Sequence, residues 1–266
     1  MIQLFNKNVI IDDFVSSNYG LLLLSFDYDG ESEDDFALGG SIETVFLGNS
    51  RISTLTSAKY QQYLTPRLTL VRQNGSYIET PLLREVVSKL SGKNRWSWLQ
   101  VYDNSYGETL NYRCVITEIS CKKINGKIAG IIIDFQCDSM YAYTKKYQYK
   151  RALTNANNTI TLINSSDELN DYLYPKVTIT TDDSSEMFTV KNGSDNNYIT
   201  RIENVVAGET IELNGALSEI TSTNANNILD RFNFHFIRLV PGKNTLTFSS
   251  PCTVTLEYRL LRKVGI

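Results

Sequence analysis

The sequence predicts a mainly β protein in two parts: an N-terminal α+β domain with one helix packed on a sheet, and a C-terminal β-sandwich of jelly-roll type. Three observations carry this. One segment shows a helical apolar stripe, Leu82, Leu83, Val86, Val87 and Leu90, with Arg84, Glu85 and Lys89 off it. Two long runs rich in Val, Ile and aromatics flank Asn125-Gly126, a pair suited to the positive φ angles of a type I′ hairpin turn. Beyond residue 158, short apolar runs alternate with Asn, Gly and Ser and no long helix intervenes.

Along the chain, residues 9–11 and 21–26 read as strands around the turn-prone Ser16, Ser17, Asn18, Tyr19 and Gly20, joining the sheet of the hairpin. The next segment carries Asp27, Asp29, Glu31, Glu33, Asp34 and Asp35. It fails the calcium-loop pattern, because Gly30 is misplaced and the closing glutamate is absent, so a solvated loop is expected. Residues 42–47 and 67–71 read as further strands, linked by polar segments bearing Tyr60 and Tyr63. Thr80 is the expected N-cap of the helix, with Pro81 at its first position and Gly92 just past its end.

Trp96 and Trp98 lie two apart and share a face if extended, next to Tyr102. The expectation is that they close the core between helix and hairpin, an interface patch being the alternative. With a two-residue turn, Ile119 faces Ile132, Ile116 faces Phe135 and Cys114 faces Cys137. The polar stretch near 144–158 marks a boundary, dividing residues 1–148 from 149–266. Strands are expected at 159–163, 177–181, 187–190, 198–202, 210–213, 232–239, 245–248 and 253–260. The basic tail with Arg259, Arg262 and Lys263 either caps the sandwich or returns to the first domain.

A chain of 266 residues, 42% hydrophobic, supports sizeable cores, and its formal charge of −3 gives no basic face for a nucleic-acid backbone or an anionic membrane. The first residues lack a signal-peptide pattern, and the apolar run 21–24 is too short to span a bilayer, so synthesis in a cytoplasm is expected. Cys114, Cys121, Cys137 and Cys252 show no zinc spacing; Cys114 and Cys137 are expected as core hydrophobes rather than a disulfide. The single histidine, His235, has no motif around it, and on a strand it would point away from Phe234 and Phe236. Neither an enzyme nor a cofactor is expected. Tyr172, Tyr198 and His235 are candidates for sugar or partner contact, with aromatic packing the preferred role for the tyrosines and phenylalanines of this half.

The order of motifs resembles the distal tail proteins (Dit) of long-tailed phages and prophages of Gram-positive hosts. The residues that carry the resemblance are Asp12-Asp13-Phe14, Ser17-Asn18-Tyr19-Gly20, Pro66-Arg67-Leu68-Thr69-Leu70 and the helix, then Trp96-Ser97-Trp98-Leu99, the hairpin and Cys137-Asp138-Ser139-Met140-Tyr141-Ala142-Tyr143. Family members often have proline at the position of Met140. In the second half, His235-Phe236-Ile237-Arg238-Leu239-Val240-Pro241-Gly242-Lys243-Asn244-Thr245-Leu246 is similar to the family's strand, Pro-Gly-x-Asn turn, strand pattern.

The resemblance implies a non-enzymatic structural protein of the virion tail tip with a galectin-like second domain. It would form a homo-hexameric ring joining the tail-tube protein to a tail-associated or fibre protein and to receptor-binding or baseplate proteins. In the family, the region matching 39–70 contributes an extended hairpin that clasps the neighbouring subunit. Candidate subunit-interface residues are Asp29, Glu31, Glu33, Asp34, Asp35, Tyr60, Tyr63, Trp96 and Trp98. The alternatives are a carbohydrate-binding module for host glycans, acting as a monomer, and a tail-tube subunit.

Overall fold

The helix and hairpin form as their local sequence dictates. In the computed structural model, which describes residues 8–28, 40–46, 53–60, 63–103 and 107–264, the helix α1 spans Thr80–Leu90. Val86 and Leu90 are buried and Leu82 and Leu83 pack on the same core. The cap lies one residue earlier than expected: Glu79 is the N-cap, without a side-chain cap bond, and Thr80 is already helical. Gly92 follows the helix at φ 77°, where a Cβ would be strained.

The chain separates into two compact units, Met1–Thr144 with Arg262–Ile266, and Lys145–Leu261. The strands of the first are β1 (Ile10–Ile11), β2 (Phe14–Val15), β3 (Leu21–Tyr28), β4 (Gly40–Phe46), β5 (Ser53–Tyr60), β6 (Pro66–Arg72), β7 (Ser97–Asp103), β8 (Glu108–Ile124), β9 (Lys127–Cys137) and β10 (Ala142–Tyr143). Seven of them follow the order β2-β1-β7-β8-β9-β6-β3, so both N-terminal strand regions join the hairpin's sheet. β10 pairs β8, while β4 and β5 make a two-stranded sheet of their own. β5, Ser-Thr-Leu-Thr-Ser-Ala-Lys-Tyr, is too polar to show an apolar alternation and reads as a linker in the sequence.

The turn between β8 and β9 has both central residues at positive φ, Asn125 at 49° and Gly126 at 77°. Cys114 does face Cys137, and Ile116 faces Phe135, but Ile119 faces Ile133 instead of Ile132. Two bulges cause the slip. The register shifts between Lys122 and Lys123 and shifts back between Ile116 and Glu118, so the extra residues are Ala129 on β9 and Thr117 on β8. Each bulge flips the inward parity of its strand, which lets Ile116 and Ile119 both reach the core beside the helix. Gly130 beside the bulge is required for close approach, since a Cβ there would lie 3.1 Å from the Leu70 carbonyl oxygen. Cys114 and Cys137 are buried free thiols, and the contact with Cys114 together with burial pushes the Cys137 thiol far up.

The second unit holds β11 (Tyr147–Leu153), β12 (Thr159–Asn164), β13 (Lys176–Thr181), β14 (Ser185–Asn192), β15 (Tyr198–Val205), β16 (Thr210–Asn214), β17 (Glu219–Ser222), β18 (Gly242–Phe248) and β19 (Cys252–Tyr258). They form two antiparallel sheets, β11-β19-β13-β16-β17 and β12-β18-β14-β15. Alternate residues such as Val177, Ile179, Ile211, Leu246, Phe248, Val254 and Leu256 are fully buried and make one shared core. The strand expected at 232–239 does not form. Phe232 and Leu239 make isolated bridges, and Phe234 between them sits at φ 59°. The Asn233 side chain replaces part of a ladder there: its Oδ1 accepts from Arg201 N at 3.0 Å and its Nδ2 donates to Ile199 O at 3.0 Å.

Candidate functional site

Strand β7 sorts its residues by period two. Ser97, Leu99 and Val101 are buried, so Trp98 and Tyr102 face away from the core that covers the helix. The two tryptophans therefore do not close that core. Trp98 lies half-buried, edge-on to Tyr143 at 5.6 Å, and pairs across the strands with Arg113. The Arg113 guanidinium sits 5.7 Å from the Trp96 ring centre and 3.3 Å from Asp138 Oδ2. The Tyr143 hydroxyl donates to the other Asp138 oxygen at 3.2 Å. Burial pushes the Asp138 carboxyl up, and Arg113 and Tyr143 only partly offset it. Trp96, 41% exposed, completes an aromatic patch around this ion pair, and Tyr102, 44% exposed, lies further along β7.

Asp12 anchors the edge of that sheet. Held at φ 51°, it accepts from Trp98 N at 2.9 Å and pairs with Lys93 at 3.1 Å. Burial raises its carboxyl, but the Trp98 N–H, Ser97 and Lys93 outweigh burial and leave it below the usual range. Of the other interface candidates, Tyr63 is 41% exposed and Tyr60 ends β5. Asp29, Glu31, Glu33, Asp34 and Asp35 lie outside the described residues.

In the second unit the structure brings Tyr172, Tyr198 and His235 together around a residue that sequence reasoning missed. The Arg238 guanidinium lies between two rings, 3.8 Å from the centre of Tyr172 and 3.8 Å from that of Tyr198. His235 stacks on Tyr198 at 4.9 Å and 20°. Asp195, itself 7% exposed, accepts from Arg238 Nε at 2.7 Å. Burial lowers the guanidinium's proton affinity, but Asp195 and the neighbouring tyrosines raise it further and keep the charge. The four-layer stack draws on three connections: one before β13, the turn between β14 and β15, and the segment before β18. An arginine inside the apolar run Phe-Ile-Arg-Leu-Val was the available signal, because a cation there needs a partner. His235 is exposed as expected, although the backbone around it is irregular and Phe234 is 63% exposed too.

A second ion pair in this unit is structural. Glu209 and Arg231 meet at 2.7 Å with 0% and 7% side-chain exposure. Burial raises the Glu209 carboxyl, yet Arg231, Ser222, Val206 N–H and Asn224 overcome it and hold the value at about 2. Among the described residues, no cluster of three or more His, Cys, Asp or Glu side chains is placed to hold a metal, and no helix is long and apolar enough to cross a membrane.

Comparison with known proteins places this architecture. No curated protein matches the sequence. The chain is similar in structure to the Dit protein of phage SPP1, described as a paradigm of the hub adsorption apparatus in phages infecting Gram-positive hosts, with a TM-score of 0.68 and 12% identity over 96% of this chain and 99% of that one. It is also similar to a chain of the phage p2 baseplate in its activated conformation with calcium, with a TM-score of 0.50 and 11% identity over 94% of this chain and 97% of that one. These likenesses establish the fold. Residues 5–139 match a phage tail protein N-terminal domain and residues 141–258 match the phage tail C-terminal domain of the same family, so the chain belongs to this family of phage tail proteins.

Proposed function

We propose that the chain is the distal hub of a phage tail: a ring at the end of the tail tube that joins the tube to fibre and receptor-binding parts, without enzymatic chemistry. The observation that carries this reading is the shared fold with the SPP1 hub protein over nearly the full length of both chains. Two features support it. The β4–β5 sheet pairs with no other strand among the described residues, as an arm reserved for a neighbour would. The face that carries Trp96 and Trp98 is aromatic with the Arg113–Asp138 ion pair among its rings, the composition of an interface anchor. A closed ring repeats one heterologous contact, so each subunit needs two different complementary surfaces, and the arm and this face are our candidates.

The test is the solution mass of the purified protein by light scattering, with negative-stain imaging of the same sample. A ring of about six subunits with an open centre is expected. Deleting residues 30–36 should weaken the ring without unfolding the subunit. A strict monomer that also fails to bind the end of isolated tail tubes sinks the reading.

A further inference from the structure

The end of the second unit that holds the Arg238 stack has two properties that packing alone does not require. First, the stack ends in rings that solvent reaches: Tyr172 is 38% exposed at one end, and His235 is exposed at the other. Their orientation is fixed from within: Tyr172 by the Arg238 guanidinium that Asp195 holds, and His235 by its stacking on Tyr198 and by its Nδ1, 3.2 Å from Ile199 O. Second, the turn that supplies Asp195 and Tyr198 carries two consecutive asparagines in the left-handed region, Asn196 at φ 46° and Asn197 at 60°. Tyr198 N–H donates to Asp195 O at 2.7 Å and closes the turn. Both amides are exposed, and neither has a hydrogen-bond partner among the described residues. Asparagine and glycine are the residues this backbone favours, and of the two only asparagine also presents a free amide to solvent.

Charge narrows what such a surface takes. Arg238, the cation of the stack, is already paired with Asp195, and the adjoining connection carries Asp167, Glu168 and Asp171. An anionic polymer is therefore opposed. A neutral pyranose fits both features: its CH face offers apolar surface to an aromatic ring, and its hydroxyls both donate to and accept from side-chain amides.

We propose that this end of the second unit is a carbohydrate-binding subsite for a neutral hexopyranose, stacked on an end ring of the Tyr172–Arg238–Tyr198–His235 pile and hydrogen-bonded by Asn196 and Asn197. The proposal goes beyond the hub reading and does not depend on it.

The test uses the full chain and saturation-transfer NMR with the methyl glycosides of glucose, galactose and N-acetylglucosamine, with glycerol phosphate as the anionic probe. At least one neutral glycoside binds, with a Kd on the order of 1 mM for a single exposed subsite. Tyr172→Ala or His235→Ala weakens it about tenfold, as loss of a stacked ring requires. The pair Asn196→Gly and Asn197→Gly, which keeps the turn's backbone, weakens it by a similar factor while the melting temperature stays unchanged. No binding of any neutral glycoside at about 10 mM overturns the proposal. So does binding that all these variants leave intact, or binding of glycerol phosphate alone.

Discussion

The two arginine-centred aromatic clusters look alike and are built differently. Arg113 lies on a regular strand, opposite Trp98 in register, with its side chain 41% exposed and its partner Asp138 at 15%. Arg238 lies in an irregular segment, at 21% exposure, with Asp195 at 7%. In the first unit the strand ladder positions the side chains and the ion pair decorates them. In the second the ion pair and rings, with the single Leu173–Leu239 bridge, hold three connections together where no continuous ladder runs. The charge in the second cluster is therefore structural to a degree that the charge in the first is not.

Substitution measures the difference. Arg238→Ala leaves Asp195 buried and unpaired and should cost about 3 kcal/mol of the second unit's stability. Arg113→Ala, at a more exposed pair, should cost about 1 kcal/mol of the first unit's. Denaturant titration of the full chain, followed by tryptophan fluorescence for the first unit and near-ultraviolet dichroism for the second, reads both. Equal losses would erase the contrast.

Acid sharpens it next. Glu209 is held at about 2, against an ordinary 4.5, so its contribution is complete above about pH 4.5 and is lost as pH falls towards 2. That amounts to roughly 2–3 kcal/mol in the second unit. Asp138 has the opposite sign: its carboxyl is raised, so the folded first unit binds the proton more readily than the unfolded chain, and acidification through that range favours it. Asp12, lowered, acts in the opposite direction within the same unit. The second unit should unfold first as pH drops from 5 to 2, which hydrogen exchange along that series would show.

The smallest expected effect on folding is that of Trp96→Ala, within about 0.5 kcal/mol because the ring is exposed and its cation contact is long. Its effect should appear in assembly, as a roughly tenfold weaker ring. A loss of subunit stability instead would make Trp96 a packing residue after all.

How much of this was legible follows the same division. The helix stripe and the Asn125-Gly126 turn are set by neighbours in sequence, and periodicity finds them; the Cys114–Cys137 pairing follows from the turn only because the two bulges, one on each strand, cancel. The bulges at Thr117 and Ala129 are not, because Ile116 and Ile119 are both apolar and sequence alone does not say where the inward parity changes. The expectation that the tryptophans close the core fails for a related reason: Leu99 and Val101 compete for the core with larger side chains, and strand phase, not size, decides. Tyr172, Tyr198 and His235 stand out in the sequence as candidates for sugar or partner contact, but Arg238 and Asp195, which make them one object, come from connections far apart in the chain. Contacts that close long loops leave no periodic trace.

The path of the chain through the two units has an evolutionary consequence. The second unit begins at Lys145 and ends at Leu261, and the chain then returns to the first, where Arg262 pairs with Glu108 and Val264 packs on the core. Near those ends, Tyr147 and Tyr258 are cross-strand neighbours, about 5 Å apart at their Cα atoms. The unit thus enters and leaves through a single doorway, in the manner of a cassette. Such a cassette can be exchanged, enlarged or removed by recombination with only a short splice where it joins the first unit, so the second unit can diversify while the first is inherited intact.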